Sequence, residues 1–161
     1  MLKRNLLGAM VGFSLFAMPV VAQDMHHEEG HKPVVDERTA VVLNAEERAM
    51  ILLEMRQFLT GVQAMTEGLA RDDMKAVAQA SSVLGMKAAH AVPTPLKAKL
   101  PKEFKQFGFA VHSDFDQIAM DAESLGDMKH AMTQLAGTLN KCVACHNRYQ
   151  IQSEPFPPLK K

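Results

Sequence analysis

Cysteine is nearly absent from this 161-residue chain: there are two, along with one tyrosine and no tryptophan, while 18 Lys and Arg balance 18 Asp and Glu. Two cysteines cannot build a disulfide framework, so an apolar core must hold the fold. Zero formal charge leaves no basic excess to neutralise phosphates. Loss of Lys3 and Arg4 would leave the remainder slightly acidic, so no nucleic-acid partner is expected. Long uncharged apolar runs are also missing, with one exception at the start. There Lys3 and Arg4 precede an apolar stretch over residues 6–21, and Val20-Val21-Ala22 closes it with small residues. This reads as a secretory signal peptide (residues 1–22) cleaved after Ala22. Gly8, Gly12, Ser14 and Pro19 interrupt the stretch and an acidic, His-rich segment comes directly after it, which disfavours the alternative of a membrane anchor. No cysteine stands near the cleavage point to take a lipid.

The chain beyond Ala22 has the length of one domain. Residues 23–42 are polar, carry His26, His27 and His31, and lack apolar periodicity, so a mobile N-terminal segment is expected. A solvated tail is the reading for those histidines, since no further ligand nearby completes a closed metal site.

From Asn44 onward the pattern is helical. Asn44 is placed as an N-cap with Glu46 and Glu47 in the first turn, and an apolar stripe runs Ile51, Met55, Phe58, Val62, Met65, Leu69. A second helix is expected after Asp72 as cap, with Met74, Val77, Ser81, Leu84 and Ala88 inward. Pro93 and Pro95 interrupt it, and residues 96–100 form at most a short helical turn. Pro101 opens a third helix with the stripe Phe104, Phe107 or Gly108, Val111, Phe115, Ile118, Ala122, Leu125, ended by Gly126. Asp127 caps a fourth with the stripe Met128, Met132, Leu135, Leu139, Cys142, His146, Tyr149. No segment reads as a strand. The expected fold is therefore all-α, an up-down-up-down four-helix bundle over residues 43–152, with a C-terminal tail over 153–161. The twelve methionines are assigned mainly to the signal peptide and the core, because Met packs adaptably in helix interiors.

Both cysteines fall in Cys142-Val143-Ala144-Cys145-His146. Two thiols at this spacing can add to the two vinyl groups of one haem, and the next residue places an imidazole under the iron. Two random cysteines stand three apart in about one case in eighty, and a His comes next in about one in twenty-three, so chance gives roughly one in two thousand. Three other readings compete. A dithiol redox pair belongs at a helix start after a strand, whereas this pair lies near the end of the last helix. A zinc site lacks a third cysteine. A plain disulfide is chemically open to an exported protein, but it leaves His146 on the inner stripe unexplained. His90, His112 and His130 lie at a helix end or off the stripes and read as flank residues, so a second histidine ligand is the less favoured arrangement.

A signal peptide, four helices and one Cys-x-x-Cys-His close to the C-terminus resemble the class II c-type cytochromes, that is, cytochrome c′ and its methionine-ligated low-spin relatives. The resemblance spans about residues 43–152, and only the haem motif within it is sharp. It implies one haem c between the first and last helices, with Cys142 and Cys145 as thioether anchors and His146 as proximal iron ligand. Tyr149 matches the aromatic residue usual after the motif, and Arg148 lies close to a usual basic position. Arg56-Gln57 is similar to an Arg-Gln pair of cytochrome c′, though displaced, which makes Arg56 a candidate partner for a haem carboxylate or else a solvated arginine. Met55 is expected as the sixth iron ligand. It lies about eleven residues, roughly 16 Å, into the first helix and shares the inner stripe, while Met50 does not.

The expected function is one-electron transfer in the periplasm of a Gram-negative bacterium with protein redox partners, and no enzymatic activity. The alternative is a five-coordinate protein binding nitric oxide or carbon monoxide on an open distal face. Pairing of cytochrome c′ relatives through the first helix implies a homodimer.

Overall fold

The computed structural model describes residues 35–154. The expected signal peptide, the His-rich segment up to residue 34 and the tail beyond 154 lie outside the described residues. The chain is predominantly helical: β1 (Thr39–Leu43), α1 (Ala45–Ala70), α2 (Met74–Ser82), α3 (Met86–His90), α4 (Thr94–Lys99), α5 (Lys102–Ser124), α6 (Met128–Arg148) and β2 (Tyr149–Ser153). No helix among the described residues is long and apolar enough to cross a membrane.

Two strands stand where none was expected. β1 and β2 pair in parallel from Thr39 with Tyr149 to Leu43 with Ser153. Val41 and Leu43 are buried while Ala40 and Val42 are exposed, the alternation of a strand with one covered face. Residues 39–42, expected to be part of a mobile segment, are therefore built into the fold. Tyr149, expected on the last helical stripe, is the first residue of β2.

Caps place the helices. Asn44 Oδ1 accepts from Glu47 N–H at 2.9 Å and the Glu47 carboxylate accepts from Asn44 N–H at 3.1 Å, a complete capping box for α1. Asp127 caps α6 by accepting from His130 N–H at 3.0 Å. The cap of α2 is Asp73, one residue later than expected, because Asp72 takes a left-handed turn at φ 54°. Gly126, at φ +61°, ends the α5 to α6 connection, a conformation that suits glycine.

α1 packs on α2, α2 on α5 and α5 on α6, with α3 also against α5. One apolar cluster joins Met65 and Leu69 of α1, Val77 of α2, Phe115 and Ile118 of α5 and Leu135 of α6. A second, beside the sheet, joins Val41, Leu43, Ile51, Leu96, Leu100 and Tyr149. The α1 stripe is as expected. The α6 stripe is rotated: Met128, Met132 and Leu139 are at least 40% exposed, and Ala131, Leu135 and Thr138 face inward. The small Ala131 and the hydrogen-bonded Thr138, whose hydroxyl donates to Asp114 at 3.2 Å, let α6 lie close on α5. Leu125 is likewise exposed, beyond the last turn of α5.

His112, expected on a flank, is buried. Its Nδ1 donates to the Leu84 carbonyl at 2.6 Å and its Nε2 lies 3.3 Å from a Glu54 carboxylate oxygen. Its ring lies against Phe58, with centroids 4.9 Å apart.

Candidate cofactor site

The Cys142 to His146 motif occupies the last turns of α6, where the chain passes into β2 without a loop. Cys142 packs on the larger apolar cluster and Cys145 on the smaller, so the motif bridges the two. Both thiols are free and half-buried. Burial pushes both up from their ordinary range; the Asp114 carboxylate adds to this at Cys142, and the neighbouring Cys142 adds to it at Cys145. Two protonated thiols at a helix end are the opposite of the activated thiolate that dithiol exchange requires.

A cavity of about 320 Å³ opens in front of the motif and is lined by Cys142, Cys145 and His146 of α6 and by Met55 of α1. These four residues border one space, and His146 among them is exposed. Its walls are apolar, with Ile51 and Phe58 from α1 and Phe104, Phe107 and Val111 from α5. Gly108 also lines it, and a Cβ there would meet no atom within 4 Å.

Arg38 and Lys141 bring positive charge to the lining. Arg38 stands on the approach to β1 and carries no signal in the sequence that marks it for the site. Its guanidinium donates to the His146 carbonyl at 3.1 Å and to the Tyr149 carbonyl at 3.5 Å, closing the C-terminal end of α6. Asp36 holds it with two oxygens, at 2.9 Å from Nε and 2.6 Å from Nη2. The side-chain hydrogen bond from Arg38 brings the Asp36 carboxyl down to about 2. Lys141 is 2.5 Å from Asp114. Arg56 does not line this space; it borders a separate groove with Leu53, Gln57 and Thr60. Tyr149 is buried, stacks edge-on against Phe104, and donates its hydroxyl to Glu103 at 3.3 Å. Arg148 also pairs with Glu103.

The residues present fit a haem. They offer two thiols at the required spacing, an imidazole beside them, a thioether lining the same space, and aromatic and aliphatic walls for a flat macrocycle. They do not fit a protein-only metal site, since among the described residues no three His, Cys, Asp or Glu side chains gather for one. No protein-family model, curated protein or solved structure matches the chain.

Proposed function

We propose that this chain is an exported mono-haem c-type cytochrome of the class II kind, working as a one-electron carrier in the periplasm and not as an enzyme. The observation that carries the reading is the convergence of Cys142, Cys145, His146 and Met55 on one apolar cavity. Cys142 and Cys145 would hold haem c through thioethers, with His146 and Met55 as axial ligands to its iron. When bound, the haem supplies a ferric/ferrous couple whose potential is set by its axial ligands and by burial. Ile51, Phe58, Phe104 and Val111 would give the macrocycle apolar walls. It fixes the His146 backbone through Arg38. Its architecture is read as a four-helix bundle of α1, α2, α5 and α6, with α3 and α4 bridging the long connection, and its partners as periplasmic redox proteins.

The test is a pyridine haemochrome spectrum of protein matured in an export-competent host with haem-attachment machinery. A haem that stays with the polypeptide through acid-acetone extraction is the expected result; a colourless polypeptide refutes the proposal.

A further inference from the structure

A second cavity, of about 300 Å³, backs directly onto the first. Ile51, Glu54, Phe104 and Gly108 line both. Each is at the lower end of the ~300–1,000 Å³ typical of small-molecule sites, and a haem is a large ligand for either alone. Cys142 and Cys145 border the first cavity and not the second. A haem tethered to them at its vinyl edge would reach the second cavity only across the shared wall. That wall leaves open space beside Gly108, since a Cβ there would meet nothing within 4 Å.

By its own chemistry a haem carries its two carboxylates on the edge away from the vinyl groups, and such charges need cations or water. Lys97, Lys105 and His90 line the second cavity. Among the described residues neither Lys97 nor Lys105 has an acidic partner, unlike Arg38 and Lys141 of the first cavity. Glu54 is the one carboxylate on the shared wall, and it is engaged by His112.

We infer that the second cavity is the carboxylate end of the haem site, with Lys97 and Lys105 as the cations that hold the two carboxylates and so orient the macrocycle. The inference rests on the haem reading above and assigns it residues from α4 and α5 that no motif marks. Two lysine charges beside the carboxylates favour the ferrous state, because the iron site carries one positive charge fewer when reduced.

The experiment is a spectroelectrochemical titration of matured holoprotein, wild type against Lys97→Glu with Lys105→Glu. The double variant should favour the ferric form by about tenfold, which for a one-electron couple is ~59 mV. Lys97→Arg with Lys105→Arg should keep the wild-type potential. Lys75→Glu with Lys129→Glu, exposed lysines bordering neither cavity, should also leave it in place. Gly108→Leu should reduce the fraction of chain carrying covalent haem, by intruding on the shared wall. An unchanged potential in the double glutamate variant, or full haem loading in Gly108→Leu, overturns the inference while leaving the cytochrome reading standing. A wild type that acquires no covalent haem overturns both.

Discussion

Replacing Glu54 with Leu should destabilise the protein most at low pH, and the reason lies in the groups around His112. The Leu84 carbonyl accepts at 2.6 Å from Nδ1, and the Glu54 carboxylate lies 3.3 Å from Nε2. A carbonyl has no proton to give, and an ionised carboxylate has none, so the arrangement satisfies an imidazolium with both nitrogens protonated. Burial by itself pushes the imidazole down. The hydrogen bonds to Glu54 and the Leu84 carbonyl, with the Glu54 charge, outweigh it, and the net shift is upward from 6.5. A folded value above the unfolded one means that this stabilisation is fully present below 6.5 and is lost as pH rises through the folded value. Breaking a fully buried pair costs about 3–5 kcal/mol; with Glu54 22% exposed, about 2–3 kcal/mol is expected while the ring is charged. Once the ring is neutral only an ordinary hydrogen bond is lost, about 1 kcal/mol. Urea denaturation followed by circular dichroism at about pH 5.5 and about pH 9 should therefore show a penalty for Glu54→Leu that shrinks by ~1–2 kcal/mol across the range. A penalty of only about 1 kcal/mol at both pH values would mean that His112 is neutral throughout, and the reasoning would be wrong.

Met55→Ala should convert a low-spin, slowly carbonylated holoprotein to a high-spin one that binds carbon monoxide readily, as read by optical spectra; a wild type already high-spin and unaffected by the change would point to an open distal face and gas binding. Cys142→Ala with Cys145→Ala should abolish covalent haem and lower the melting temperature, because a haem filling the cavity stabilises only the folded state; equal melting curves would remove that dependence. Asn44→Ala removes the capping box of α1 and should cost about 0.5–2 kcal/mol in urea melts, with the haem spectrum unchanged.

The helices were legible because each long one carries its own 3.6-residue period, and the stripe of α1 from Ile51 to Leu69 needs no other part of the chain to be read. The strands were not. Thr39 to Leu43 buries only Val41 and Leu43, Tyr149 to Ser153 buries only Tyr149, each has five residues and its partner lies 110 positions away, so neither announces itself locally. Weighting large apolar residues points to the wrong face of α6: Met128, Met132 and Leu139 outrank Ala131 and Thr138 in hydrophobicity, yet close approach to α5 favours the small pair. His112 had a signal in the ambiguity between Phe107 and Gly108, since 108, 112 and 115 keep the same spacing as the stripe. Of the residues lining the two cavities, the motif and Met55 could be read from local pattern, while Arg38, Lys97 and Lys105 reach the cavities only through tertiary contacts.

The small sheet explains why Met55 and His146 face one cavity although they are far apart in sequence. β1 runs into α1 with only Asn44 between them, and β2 begins where α6 ends, so strand register sets one helix against the other. Thr39 pairs with Tyr149, which places the end of α6 level with the start of β1. From there β1 advances four residue steps to Leu43, about 13 Å at ~3.3 Å each. α1 then folds back over the sheet, as the packing of Ile51 with Val41 and Tyr149 requires. Ten residues from Ala45 to Met55 return about 15 Å at ~1.5 Å each. The two lengths nearly cancel, so Met55 comes level with the end of α6. A slip of the strands by two residues would keep the buried faces but move α1 by about 7 Å relative to α6, enough to take the thioether out of the cavity. The pairing of an N-terminal strand with a C-terminal one is thus a positional device for the two side chains proposed to meet at the iron.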